Sequence, residues 1–195
     1  MILVLAALPW ELAGLRRRAG RRGWPMAWAV TGMGPQAAAS GARRAVRQVR
    51  PSRVLGIGLC GGLAPFAAPG SLAVPEEVVA ARGAPCALAP LAALSSAGRM
   101  LSVERPLATA AEKAQAHRMY QADWVDQEGY AWASVCQAEQ VPLTLMRWVL
   151  DGPEEGLPTW RDLRSWSASL DLVRRAWQGF EALGEVGEAV LCKLL

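Results

Sequence analysis

Histidine is nearly missing from this sequence: His117 stands alone in 195 residues. The four cysteines, Cys60, Cys86, Cys136 and Cys192, lie far apart and form no Cys-x-x-Cys pair. That leaves too few clustered ligands for a zinc centre. A disulfide framework is not expected in a chain of this size without secretion signals, so the cysteines read as reduced thiols, mostly buried. No apolar run reaches the ~18 residues that a membrane span needs. Lysine is scarce as well, at Lys113 and Lys193, and arginine carries the formal charge of +4. The arginines gather at Arg16, Arg17, Arg18, Arg21 and Arg22, and again at Arg43, Arg44, Arg47, Arg50 and Arg53. Helix C-termini attract cations, so both clusters read first as solvated helix faces. Without a zinc finger, helix-turn-helix pair or aromatic sheet motif beside them, nucleic acid is not an expected partner.

What is present is apolar surface. At 52% hydrophobic residues the chain can fill a sizeable core, and its length suits one domain over residues 1–195. Ile2 to Leu8 reads as a buried first strand rather than a signal peptide, and the cytoplasm is the expected location. Of the nine tryptophans, several (Trp124, Trp132, Trp166 and Trp177) fall singly in amphipathic patterns, which suits core or subunit packing better than base stacking. Trp10, Trp24 and Trp28 are expected to widen an apolar surface near the first helix.

Strand and helix signals alternate along the chain, which indicates an α/β protein with a mostly parallel central sheet flanked by helices. Strands are expected at 1–8, 26–30, 71–74, 124–125 and 143–150, and in the uncharged run Val54 to Leu59. That run has the pattern of a strand buried on both faces. Gly61 and Gly62 are expected to turn the chain at its end, where small molecules bind in open α/β sheets. Helices are expected at 10–22, 35–49, 109–119 and 129–139. A long helix follows a capping box at Thr159 and Asp162, with Leu163, Trp166, Leu170, Val173 and Trp177 on its inward stripe, and a separate short helix covers 186–195. The span 82–107 has no clean period and reads as loops with one or two short elements.

The candidate chemistry lies in carboxylates. Glu11, Glu128 and Asp151 each follow a predicted strand, and in a mostly parallel sheet such ends share one edge. Three distant acids can then meet at one crevice, although each taken alone also fits a solvated loop residue. Gly32 and Gly34, just before a helix that opens with Pro35, offer backbone amides to an anion or to sugar hydroxyls. They do not make a dinucleotide fingerprint, since no third glycine follows at the required offset. His117 reads as a surface residue, and Lys113 as either solvated or the partner of a site carboxylate.

Several separated blocks together resemble the nucleoside phosphorylase and nucleosidase superfamily, most closely its methylthioadenosine/S-adenosylhomocysteine nucleosidases. These are Ala7-Leu-Pro-Trp-Glu-Leu12, Thr31-Gly-Met-Gly34, Gly58-Leu-Cys-Gly-Gly-Leu-Ala-Pro65 with Pro69-Gly-Ser-Leu-Ala-Val74, and Val125-Asp-Gln-Glu-Gly-Tyr-Ala131 with the strand ending at Asp151. The resemblance implies a three-layer sandwich shortened between Val79 and Gly98, no cofactor, and a small-molecule nucleoside substrate bound by a homodimer. It implies that Glu11 activates water, Glu128 holds the ribose hydroxyls and Asp151 acts on the purine. Cys60, Gly61 and Gly62 would line the base pocket, with Gly32 and Gly34 near the ribose. The pattern departs at Gln127, where the family has methionine, at Leu150, where it has serine, and at Ser71, where it has aspartate. Gly56 stands where phosphorylases carry a phosphate-binding arginine, which favours water as nucleophile. The implied activity is hydrolysis of a purine nucleoside, adenosine-type, with room for a bulky or apolar 5′ group as in hopanoid-associated and futalosine-cleaving relatives. A phosphorylase of the same fold and an inactive nucleoside-binding protein stay open as alternatives.

Overall fold

A computed structural model of the chain describes residues 1–91, 94–157 and 165–194. Strand β1 (Ile2–Ala6) is buried at every position, and its alternation sorts side chains to two cores. Leu3 and Leu5 join Ala38, Ala42 and Val46 of helix α2 (Pro35–Val49) and Trp132 and Val135 of α4 (Gly129–Ala138). Ile2, Val4 and Ala6 instead join Leu12 and Leu15 of α1 (Pro9–Arg22) and Leu183, Val190 and Leu191 of α5 (Ser165–Leu194). A sheet apolar on both faces and covered on both by helices gives the three layers. Each fully buried leucine or valine contributes roughly 1.5–3 kcal/mol of burial.

The remaining strands are β2 (Met26–Val30), β3 (Arg53–Gly62), β4 (Leu72–Ala73), β5 (Glu77–Ala80), β6 (Cys86–Ala87), β7 (Arg99–Ser102), β8 (Trp124–Asp126) and β9 (Leu143–Asp151), with α3 (Ala110–Tyr120) before β8. The sheet order is β2-β1-β3-β8-β7-β5-β6, with β9 on the other edge of β3 and β4 beyond it. Strand pairs β1–β2, β1–β3, β3–β9, β5–β7 and β7–β8 are parallel, whereas β3–β8, β4–β9 and β5–β6 are antiparallel. The sheet is therefore mixed and mostly parallel.

One edge of β3 changes partner along its length. Arg53 to Gly56 pair with β1, and Gly61 and Gly62 pair with β8. Between them, Ile57 to Cys60 have no strand neighbour on that side in the registers of β1 and β8. This split in the sheet is where the cavity opens.

Three expectations need correction. Gly61 and Gly62 do not turn the chain: they continue β3, neither has positive φ, and they are glycines because of close approach. A Cβ on Gly62 would lie 2.2 Å from the Ala67 carbonyl oxygen. The interval 82–107 holds two short strands, β6 and β7, as loops with one or two short elements allow, and the two partners of β7 bury it without an amphipathic period. The last helix is continuous to Leu194 rather than broken before Val186. Of its expected inward stripe, Leu170, Val173 and Trp177 are exposed, while Leu183, Val190 and Leu191 face the core. The reason is the approach of α1, which packs only on the later turns. There a Cβ on Gly14 would lie 2.6 Å from Phe180 O, and one on Gly184 would lie 2.9 Å from Gly14 C. The cap expected at Thr159 and Asp162, together with Leu163, lies outside the described residues.

The first arginine cluster is not simply solvated. Arg17, Arg18 and Arg22 of α1 pair with Glu181, Glu185 and Glu188 of α5 at 2.8–3.3 Å.

Candidate active site

A cavity of about 320 Å³ sits in the split of the sheet, within the size range of small-molecule sites. Glu11, Cys60, Gly61, Gln127, Glu128, Leu150 and Asp151 line it. Apolar neighbours such as Leu8, Met33, Val103, Leu107 and Val125 fill most of the wall. The three carboxylates thus reach one space, but not by the route the sequence suggests. Strand β8 runs antiparallel to β3, so Glu128 enters from the direction opposite to Glu11 and Asp151.

Glu11 stands in the first turn of α1, where a negative side chain suits the helix dipole. Its Oε2 accepts from the Leu8 amide at 2.8 Å. Burial pushes its pKa up, opposed by the Arg147 guanidinium and the Leu8 amide, while the Glu128 charge adds to the rise. Glu128 is the N-cap residue of α4, and its Oε1 accepts from the Gly34 amide at 2.9 Å. Burial raises its pKa also, against the pull of Arg147 and that amide. The Gly34 amide is thereby used within the protein, and the Gly32 amide bonds Ala7 O at 3.2 Å. Gly32, Gly34 and Gly62 do not line the cavity. Gly34 serves it through Glu128.

Asp151 ends β9 beside a bulge. Val149 pairs with Cys60 but Asp151 pairs with Gly61, so Leu150 is an extra residue. In a regular strand neighbours point to opposite faces, whereas the bulge lets Leu150 and Asp151 both line the cavity. The Asp151 carboxylate lies over Gly61, where a Cβ would come within 3.4 Å of both oxygens. Burial raises its pKa, and the hydrogen bond and charge of Lys113 act against that rise. Burial likewise drives the Cys60 thiol well up, which keeps it neutral.

Beneath the carboxylates lies Arg147, almost wholly buried. Its Nε and Nη2 donate to Asp126 Oδ2 at 3.1 and 2.7 Å, and Nη1 donates to Ile57 O at 3.0 Å. The guanidinium stacks 4.6 Å from the Trp132 ring centre. Asp126 also accepts from Ser102 Oγ and from the Gly129 amide, the latter at 3.0 Å. Sequence reasoning missed Asp126 as the anchor of this network: it ends β8 two residues before the N-cap Glu128, where no local capping signal marks it. Gly58 makes room for it, since a Cβ there would lie 2.4 Å from Arg147 Nη1 and 2.9 Å from Glu11 Oε1. Gly58 and Gly61 are three residues apart, so the Glu11 and Asp151 ends of the site are separated by ~10 Å along β3.

The model of the phosphorylase superfamily matches residues 5–92, which hold the end of β1, Glu11 and the glycine-rich strand. No curated protein sequence matches the chain. Among solved structures, futalosine hydrolase of Helicobacter pylori superposes with a TM-score of 0.83 at 14% identity, covering 98% of this chain and 97% of that one. The 5′-methylthioadenosine/S-adenosylhomocysteine nucleosidase of the same organism gives 0.81 at 14% identity, covering 98% and 97%. That of Neisseria meningitidis gives 0.80 at 17% identity, covering 97% of each chain. The chain therefore has the phosphorylase-superfamily fold. That fold is a strong structural match to those of the methylthioadenosine and futalosine nucleosidases. Among the described residues no helix is long and apolar enough to cross a membrane.

Proposed function

We propose that this chain, acting as one domain, hydrolyses the N-glycosidic bond of an adenosine-type purine nucleoside. The observation that carries this reading is the placement of three buried carboxylates around one apolar cavity, with Glu11 and Asp151 toward opposite ends. As the bond from C1′ to the base breaks, its electron pair leaves with the purine and the sugar becomes cationic. Asp151 protonates or hydrogen-bonds the departing base at N7, and Glu128 holds the ribose hydroxyls. Glu11 takes a proton from the water that attacks C1′, and its charge favours the sugar cation. Arg147 limits the rise in the Glu11 pKa, which helps the general-base role near neutrality.

Water is favoured over phosphate because the nearby cations are engaged. Arg147 is bound to Asp126 and Ile57 O, and Arg53 donates to Pro90 O and Thr144 at the start of β3. Lys113 is held by Asp151. A second cavity of about 850 Å³ shares Val103, Leu107 and Gln127 with the site, which suits a bulky 5′ substituent. The exposed apolar side chains Trp10, Met33 and Phe66 support a homodimer.

Adenosine and 5′-alkylthioadenosines should release free purine in phosphate-free buffer, followed by chromatography. Glu11→Gln and Asp151→Asn should each slow release by roughly 10²–10⁴-fold. Unchanged turnover in both would overturn the assignment. Ribose 1-phosphate as product would make the protein a phosphorylase, and calorimetric binding without turnover would make it a nucleoside-binding protein.

A further inference from the structure

Lys113 is about 1% exposed, an unusual place for an ammonium group. Its Nζ donates to Asp151 Oδ2, to Gly152 O at 2.6 Å and to Glu155 O at 2.8 Å. Three hydrogens meet three acceptors, so the group is fully satisfied. A neutral amide could tie down the two carbonyls without the desolvation penalty of a buried charge. The charge therefore answers to the carboxylate. Leu150, beside Asp151, has no side-chain hydrogen-bonding group with which to orient it. The 151–155 loop is braced separately, since Glu155 Oε2 accepts from the Gly152 amide at 3.0 Å and from Arg175 Nη1 at 2.7 Å.

We propose that Lys113 is the positioning residue for Asp151: by taking Oδ2 it leaves Oδ1 as the oxygen presented to the departing base. This rests on the reading of Asp151 as the group that faces the purine. The groups acting on Asp151 are Lys113 from α3, Glu155 from the loop and Arg175 from α5, with the Cys60 thiol facing it from β3. Of these, Lys113 supplies the main opposition to the effect of burial. Removing its charge leaves Asp151 protonated to higher pH.

The test compares Lys113→Met, and Lys113→Gln, which keeps donors for Gly152 O and Glu155 O, with the wild-type protein. Purine release and calorimetric binding of adenine are both followed against pH. The expected result is a fall in kcat of about 10–100-fold with little change in KM. The alkaline limb of both profiles should move to higher pH. In an Asp151→Asn background, Lys113→Gln should cause no further loss, because the two residues act as one unit. Unmoved pH limbs, or a loss that simply multiplies with that of Asp151→Asn, would reduce Lys113 to a loop staple and overturn the proposal. If no nucleoside is cleaved but the pH limb of adenine binding moves, the hydrolase reading falls while the role of Lys113 stands. If adenine does not bind either, both fall.

Discussion

Arg147 is the residue on which the floor of the site depends. It is the buried counter-ion of Asp126, and its charge also lies close enough to hold down the pKa values of Glu11 and Glu128. Replacing one partner of a buried pair leaves the other charge uncompensated, at a cost of about 3–5 kcal/mol. Arg147→Met should therefore lower stability by that amount in denaturant unfolding. In whatever fraction remains folded, the pKa of Glu11 should rise further, moving the acidic limb of activity to higher pH. A loss below ~1 kcal/mol would mean that Asp126 finds another partner. Each of Glu11, Glu128 and Asp151 alone also fits a solvated loop residue, and it was their shared place near strand ends, with the family resemblance, that made their meeting at one cavity legible. The Asp126–Arg147 pair was not legible as a unit. Its residues are 21 apart, and nothing local marks a charge as buried until the fold closes over it.

At the scale of elements, the crossing of α1 and α5 is set by glycines that read in the sequence only as weak points of two helices. The period of α5 identified an apolar stripe, but a stripe says nothing about which turns meet a neighbour. The exposed Leu170, Val173 and Trp177 lie before the stretch that packs on α1. Strand β7 could be expected only as an unplaced short element, for the opposite reason: it is held by pairing on both sides, and four residues are too few to show a period. The antiparallel course of β8 was equally invisible, since strand direction is fixed by the path of the chain and not by composition. Gly14→Ala tests the close crossing. In an open helix the change would stabilise by about 1 kcal/mol. Here the new methyl must displace the Phe180 carbonyl, and overpacking of that kind costs about 1–3 kcal/mol. A net fall in Tm of a few degrees is expected by calorimetry. A rise would show that the two helices move apart without penalty.

For the whole molecule, the site makes stability depend on pH in an uncommon direction. The raised groups Glu11, Glu128 and Asp151 keep their protons longer in the folded chain than in the unfolded one. Over that interval the folded state binds more protons, so stability falls as pH rises. Their contribution is complete below the ordinary values of 4.5 for glutamate and 3.8 for aspartate, and is lost as pH climbs through the raised values. Glu112, Glu155 and Glu188 act the other way. Cation partners lower their pKa values, so their stabilisation is present above 4.5 and is lost on acidification. These last three lie at exposed or partly exposed positions where screening weakens the effect, so the buried acids should dominate between mild acid and neutrality. Glu11→Gln separates the two sets. The amide keeps an oxygen for the Leu8 hydrogen bond but has no charge to bury. The variant should match wild type near pH 4.5 and exceed it near pH 7.5 by on the order of 1 kcal/mol, or a few degrees in Tm. It should do so while losing nucleoside cleavage. A gain of the same size at both pH values would trace it to packing. No gain at either would mean that Arg147 already offsets the full cost of the buried charge, and that the Glu11 carboxylate is held ionised without loss of stability.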